Sequence, residues 1–116
     1  MKAIVCYIPV LHEGYRRLFE NHPEVTELFV FGKEVIAPYE HLVKDIRKLD
    51  PELIKKSIEA WGRFESVRIL DEQAIRELQG VATLVVSDDD LTQALITQHF
   101  PNNKIEKDTI FLRWDK

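Results

Sequence analysis

Residues 3–21 read AIVCYIPVLHEGYRRLFEN, and this stretch passes from an apolar run almost directly into an amphipathic pattern. The run over residues 3–10 is rich in β-branched and aromatic residues and lacks the alternation of a strand with one solvated face. It therefore predicts a strand that is covered on both sides. From Tyr15 onwards, Leu18, Phe19 and His22 follow at the i+3, i+4 and i+7 spacing that places residues on one face of a helix.

Three residues, His12, Glu13 and Gly14, lie between that strand and that helix. A glycine at a strand-to-helix turn lets backbone N–H groups approach a ligand closely. The N-terminus of the helix that follows favours a negatively charged group. We therefore expect an anion-binding site at this turn.

The rest of the chain alternates between apolar runs and segments with helix start and stop signals. Asp50 and Pro51 are typical of an N-cap and a first helical residue, and Gly62 follows the last periodic position. Asp71 and Gly80 bracket a second such helix, whereas residues 33–49 carry only a weak pattern and predict a loop with a short helix. The predicted strands are 3–10, 26–31, 66–70, 81–86 and 107–114, and the helices after the first are 51–61, 72–79 and 91–100.

Strands and helices that alternate in this way predict a parallel sheet with right-handed crossovers and helices on both faces. The two fully apolar strands, the first and the fourth, favour the middle of the sheet. We therefore predict one domain over residues 1–116, a three-layer doubly wound α/β fold with strand order 3-2-1-4-5. Ligands of such sheets bind outside the carboxyl ends of the strands where the winding reverses, here at loops 9–15 and 87–90.

Charge and composition narrow the class of protein. The 116 residues carry a net charge of −4, which argues against a general nucleic-acid binder or a membrane-surface protein, since both need a basic face. Residues 1–70 are balanced and residues 71–116 carry the excess acid, so an anion site is expected in the first part. The single cysteine, Cys6, fits a reducing compartment, and no targeting segment is recognised, so we expect a cytoplasmic protein.

His12, Glu13, Gly14 and Tyr15, at the first strand-helix turn, resemble the H-x-G-H signature of the nucleotidylyltransferase superfamily. That superfamily includes the cytidylyltransferases and the pantetheine-phosphate and nicotinamide-mononucleotide adenylyltransferases. The resemblance implies the same 3-2-1-4-5 fold and a site in which His12, Gly14 and the residue at position 15, here Tyr15, hold the triphosphate of CTP or ATP. It implies transfer of a nucleotidyl group to a phosphate-bearing acceptor, with His12 and the residue at position 15 as catalytic candidates.

This chain departs from the family pattern at three places, the first being residues 6–9 (CYIP), which replace the small-residue and F-D portion upstream of the signature. Tyr15 stands where the second histidine belongs, and a tyrosine supplies no cation at neutral pH. Of the family's hydroxyl-rich turn before the late helix only Ser87 remains, and no arginine follows in that helix. The three carboxylates 88–90 replace the rest of the turn and would repel a triphosphate unless Mg²⁺ bridges them.

Each of these candidates also has a purely structural interpretation. His12 can hydrogen-bond to loop backbone, Tyr15 can pack on the buried face of its helix, and Asp88, Asp89 and Asp90 are what a helix N-terminus favours. Lys33, after the second strand, and Arg47, with neighbouring lysines 44 and 48, are candidates for phosphate contact and equally typical of a solvated loop.

A second resemblance concerns the two ends of the chain. The opening YIPVLHEGY and the closing FLRWD look like the segment that precedes a deoxycytidylate deaminase domain in some bacterial proteins, although the deaminase's own zinc ligands are missing. The last strand, ending near Trp114, has no helix after it and invites pairing with a second copy.

Three hypotheses follow. The first is a nucleotide-binding domain with degenerate or absent transferase activity, and the second is an active Mg²⁺-dependent transferase that uses CTP or ATP. The third is a non-enzymatic dimerisation or accessory module of a deoxycytidylate-deaminase-type protein.

Overall fold

A computed structural model describes residues 2–5, 13–42, 50–86 and 90–107. Its five strands form one parallel sheet in the order β3-β2-β1-β4-β5, which confirms the predicted order and the doubly wound α/β class. The strands are β1 (Lys2–Val5), β2 (Glu27–Phe31), β3 (Ser66–Leu70), β4 (Thr83–Val85) and β5 (Ile105–Lys107).

Within the described ranges, five α-helices and one 3₁₀ segment accompany these strands. The helices are α1 (Glu13–Glu20), α2 (Lys33–Ile36), α3 (Pro51–Trp61), α4 (Glu72–Glu77) and α5 (Asp90–His99), and the 3₁₀ segment (Ala37–Leu42) follows α2. Within the described ranges, no helix combines the length and the apolar character needed to cross a lipid bilayer.

Local chemistry fixes both ends of α3 and the start of α4 as the sequence predicted, whereas α4 ends at Glu77, before the predicted Gln79. The Asp50 carboxylate accepts a hydrogen bond from the Leu53 N–H at 3.3 Å, and the Asp71 carboxylate accepts one from the Ala74 N–H at 2.9 Å. Each bond satisfies an N–H group that has no partner inside its helix. Gly62 ends α3 in the left-handed conformation, with φ 72°, which glycine adopts without a steric penalty.

Two hydrophobic clusters cover the two faces of the sheet, because successive strand residues point to opposite sides. The first face carries α1 and α3, whose Leu18, Phe19, Ile54 and Ile58 pack on Ala3 and its neighbours. The second face carries α2, α4 and α5. The buried members of its cluster are Ile4, Phe29, Phe31, Val35, Ile36, Leu70, Ala74, Ile75, Leu78, Val85, Leu95, Ile96 and Phe100.

Several element boundaries differ from the prediction. Helix α1 begins at Glu13, so Gly14 is a first-turn residue and not part of the preceding loop; a glycine costs little there, and an acidic residue complements the helix dipole. Strand β5 begins at Ile105, because its register is set by pairing with Thr83 of β4. The predicted continuation over residues 108–114 lies outside the described residues.

Candidate functional site

The carboxyl ends of β1 and β4 lie side by side, and we call this place the switch point. Ala3 pairs with Leu84, and Ile4 pairs with Val85, in parallel register. The strand order shows that the chain winds away from β1 in one direction through β2 and β3, and in the other direction through β4 and β5. This is the reversal at which open α/β sheets bind their ligands.

Two helices begin close to the switch point, one on each face. Helix α1 follows β1 and packs on the first face, whereas α5 follows β4 and packs on the second. In a parallel α/β sheet the helix that follows a strand begins at that strand's carboxyl end. The N–H groups of the first turns of α1 and α5 therefore frame the switch point, where helix dipoles favour an anion.

The sequence-predicted site residues divide into three groups. Gly14 and Tyr15 lie in the first turn of α1, as the prediction of a site at this helix start requires. Lys33 is the first residue of α2, directly beyond β2, and Asp90 is the first residue of α5. His12, Arg47, Ser87, Asp88 and Asp89 lie outside the described residues, and their assigned roles stay predictions.

Lys33 is the described cation best placed to meet a ligand at the switch point. Strand β2 is the neighbour of β1, so a residue that follows Phe31 emerges at the carboxyl end of the sheet next to β1. The Lys33 side chain is exposed and forms no hydrogen bond or ion pair with the described residues. Its ammonium group can therefore contact an anion without losing an internal partner.

Gly32, just before Lys33, has a structural explanation. A Cβ atom at this position would lie 2.9 Å from the Ile69 Cγ2 atom and 3.2 Å from the Leu70 carbonyl oxygen. The Gly32 N–H also donates to that same carbonyl at 3.2 Å. Only glycine allows the end of β2 to approach β3 this closely. The contact therefore fixes the position of Lys33, the next residue, at the carboxyl end of the sheet.

The acidic residues at the start of α5 were predicted to hold Mg²⁺. Asp90 is exposed, and it is the one member of this group that lies in the described part of the chain. Among the described residues, no group of three His, Cys, Asp or Glu side chains could hold a metal ion. A magnesium site would therefore depend on Asp88 and Asp89, whose positions are outside that part.

The segment after β2 is the feature that sequence reasoning did not resolve. Helix α2 buries Val35 and Ile36 in the cluster of the second face, and the 3₁₀ segment contacts α5. Tyr39 in that segment packs partly on the same cluster. The weak periodicity of residues 33–49 did not predict these contacts. The aromatic residue directly after Pro38 could have indicated that this segment packs against the core.

Comparison with protein-family models, with characterised proteins and with solved structures finds no significant match to this chain. The protein is therefore assigned by its architecture to the doubly wound parallel α/β class.

Proposed function

We propose that this chain is a small cytoplasmic nucleotide-binding domain that holds the phosphate groups of its ligand at the switch point. The observation that carries the proposal is the adjacency of β1 and β4, with α1 and α5 on opposite faces. That arrangement directs two helix N-termini towards one place, and helix N-termini bind phosphate.

Four residues are proposed to contact the phosphates. His12 and Gly14 belong to the turn and the first turn of α1 that resemble the nucleotidylyltransferase signature, and Ser87 precedes α5. Lys33 supplies a free cation from the neighbouring strand end. Arg47 is a further candidate from the segment that precedes α3.

Transferase activity is proposed to be weak or absent. Tyr15 replaces a cationic histidine, and residues 90–99 contain no arginine, so two positive groups of the family pattern are missing. Such groups stabilise charge that develops on a transferring phosphoryl group, and their loss lowers the rate more than the affinity. An active enzyme would need Mg²⁺ at Asp88 to Asp90 to replace them.

Isothermal titration with ATP, CTP and inorganic tripolyphosphate, each with and without Mg²⁺, tests the proposal. A ligand present at 100 times its dissociation constant should also stabilise the protein by about 2.7 kcal/mol in a thermal melt. We expect binding of at least one nucleotide and of tripolyphosphate. Absence of binding by any of these ligands would contradict the nucleotide assignment.

A pair of matched lysine variants locates the site. Lys33→Ala removes an exposed charge at the carboxyl end of the sheet, and Lys104→Ala removes one at the amino end, directly before β5. We expect Lys33→Ala to weaken tripolyphosphate binding severalfold and Lys104→Ala to leave it within error. Equal effects of the two variants would show a nonspecific charge interaction and not a site at the switch point.

Pyrophosphate release separates binding from catalysis. With CTP or ATP, Mg²⁺ and phosphate-bearing acceptors, we expect no release above background. Release that is lost in a His12→Ala variant would instead establish the transferase. If no ligand binds and the chain sediments as a dimer, the module that pairs through its last strand becomes the better explanation.

A further inference from the structure

The segment formed by α2 and the 3₁₀ segment links the end of β2 to α5, one of the two helices that begin at the switch point. It leaves the sheet at the end of β2 and contacts α5, the helix that follows β4. In the sheet, β1 separates β2 from β4. A segment that joins these two positions on the second face therefore passes the part of that face that belongs to β1.

Burial anchors this segment to the second face. Val35 and Ile36 are 7% and 3% exposed and belong to the cluster that contains Ile4 of β1 and Val85 of β4. Those two strand residues are register partners at the switch point. The segment thus belongs to the same buried cluster as the two strand residues at the proposed phosphate site.

Tyr39 is the aromatic residue of this segment. Its ring packs on the cluster but stays partly exposed, and its hydroxyl forms no hydrogen bond with the described residues. The backbone at Tyr39, with φ −115° and ψ 20°, departs from helical geometry and separates two 3₁₀ turns. A tyrosine that is half-buried usually finds a partner for its polar end, and this one has a free hydroxyl and free ring surface.

In the described part of the chain, the partly exposed aromatic rings of Trp61 and Phe64 are already engaged with each other. Phe64 packs edge-to-face on Phe19 and on Trp61, with ring centroids 4.9 and 5.7 Å apart. Arg16 lies over the Trp61 ring at 5.6 Å, and Arg63 lies over the Phe64 ring at 5.0 Å. This group lies where α3 ends, at the opposite end of the sheet from the switch point, so it offers no surface to the proposed ligand.

We infer that Tyr39 is the residue against which the base of the bound nucleotide stacks, an inference that rests on the proposed phosphate site at the switch point. The segment that contains Tyr39 contacts α5, one of the two helices whose starts are proposed to hold the phosphates, and its partly exposed ring is the surface proposed for the base. Aromatic stacking accepts every base, because each base has a π-face. The chain would accordingly bind nucleoside phosphates in preference to phosphate alone, with limited discrimination among bases.

The test compares two ligands and two substitutions by isothermal titration. ATP carries both a base and a triphosphate, and inorganic tripolyphosphate carries the charge alone. We expect Tyr39→Ala to weaken ATP binding by at least about fivefold, the lower end of measured stacking contributions, while tripolyphosphate binding stays unchanged. Tyr39→Phe keeps the ring and should bind both ligands as the unsubstituted protein does.

Phe64→Leu is the matched control, because it removes a partly exposed ring from the opposite end of the sheet. It should leave the affinity for both ligands unchanged. If Tyr39→Ala weakens both ligands equally, or weakens neither, the stacking role is wrong although the phosphate site stands. If the unsubstituted protein binds neither ligand, the phosphate site itself is wrong.

A second measurement does not depend on the folding of Tyr39→Ala. In the unsubstituted protein with ATP bound, we expect nuclear Overhauser effects between the adenine protons and the ring protons of one tyrosine. In Tyr39→Phe, no tyrosine ring should show these effects. Adenine contacts that remain on tyrosine rings in Tyr39→Phe would contradict the inference.

Discussion

The two ends of the parallel sheet use their polar side chains differently. At the amino end, where the strands begin, Arg63, Asn103, Gln79 and Glu27 are tied into hydrogen bonds that join separate elements. At the carboxyl end, Asp50 and Asp71 cap helices and Lys107 donates to Gln93, but Lys33 and Asp90 make no hydrogen bond with the described residues. Polar groups with internal partners stabilise a fold, whereas polar groups without them are available to a ligand.

This difference between the two ends allows one small chain to be stable and still to present unbonded polar groups to a ligand. Hydrogen bonds to carbonyls at the amino end satisfy helix ends and loops that lie far apart in sequence. The carboxyl end keeps its helix N-termini and a free lysine directed outward. This difference predicts that substitutions of the bonded groups at the amino end change the free energy of unfolding, while substitution of the unbonded Lys33 at the carboxyl end changes affinity.

The largest expected effect on stability is that of Arg63. Its guanidinium donates to the carbonyls of Val25 at 3.0 Å, His22 at 3.2 Å and Phe19 at 3.3 Å, and so holds the end of α1 and the loop that follows it. Hydrogen bonds from a charged donor contribute more than neutral ones. We expect Arg63→Ala to lower the free energy of unfolding by about 3 kcal/mol, measured by urea denaturation.

Arg63→Lys is the control for charge. A lysine keeps the positive charge, but its compact ammonium group cannot donate to all three carbonyls at once. It should therefore recover less than half of the free energy of unfolding that Arg63→Ala loses. The folded fraction of Arg63→Ala should bind nucleotide normally. A loss of stability below about 1 kcal/mol, a single ordinary hydrogen bond, would break the proposed division between the two ends.

Asn103 should have the next largest effect. Its amide nitrogen donates to the carbonyls of Leu78 at 2.7 Å and Val81 at 3.1 Å, and its amide oxygen accepts from the Gly80 N–H at 2.6 Å. The three bonds fix the loop between α4 and β4. We expect Asn103→Ala to cost about 2 kcal/mol and the exposed neighbour variant Asn102→Ala to cost almost nothing.

Asn103→Asp refines this prediction. An aspartate keeps the acceptor for the Gly80 N–H but directs a second anionic oxygen at the carbonyls of Leu78 and Val81. Protonation restores a donor, so the penalty of this variant should decrease as the pH falls through the pKa of the new carboxyl group. A penalty that does not vary with pH would mean that the two donated bonds are unimportant.

The smallest effect is expected for Glu27, which forms an ion pair with Lys2 of the neighbouring strand. The hydrogen bond from Lys2 lowers the pKa of Glu27 below its ordinary value, against an opposing effect of burial. The pair therefore stabilises the fold above the ordinary pKa of glutamate, and this stabilisation is lost as the pH falls through the lowered pKa. Because both side chains are about one-third exposed, the contribution is below about 1 kcal/mol.

Glu27→Gln removes this dependence on pH. Urea denaturation at pH 7 and at pH 3 should show Glu27→Gln less stable than the unsubstituted protein at pH 7 and nearly equal to it at pH 3. Convergence of the two stabilities at neutral pH would contradict the assigned ion pair.

Local signals were sufficient to predict most of the fold. Asp50, Pro51 and Gly62 gave both ends of α3 because caps depend on residues a few positions apart. The apolar runs of strands 1 and 4 placed them in the centre, and the switch point followed from the resulting order. The position of Lys33 at the carboxyl end of the sheet followed in turn from the predicted end of strand 2.

Long-range contacts account for what the sequence did not show. Arg63 reaches carbonyls about forty positions away along the chain, a relation that no local pattern encodes. The 3₁₀ segment with Tyr39 is held by α5 and by the cluster of the second face, not by its own periodicity. The predicted roles of His12, Arg47 and residues 87–89 stay predictions, since these residues lie outside the described ranges.

A ¹⁵N-labelled sample titrated with ATP tests the central claim most directly, because backbone amide shifts report where the ligand lies on the protein. We predict that the largest shift changes fall at the carboxyl end of the sheet, on Gly14, Tyr15, Lys33 and Asp90. The amide chemical shifts of Arg63, Gly80 and Asn103, at the amino end, should not change. Changes concentrated on the amino-end residues, or no changes at millimolar ATP, would contradict a nucleotide site at the switch point.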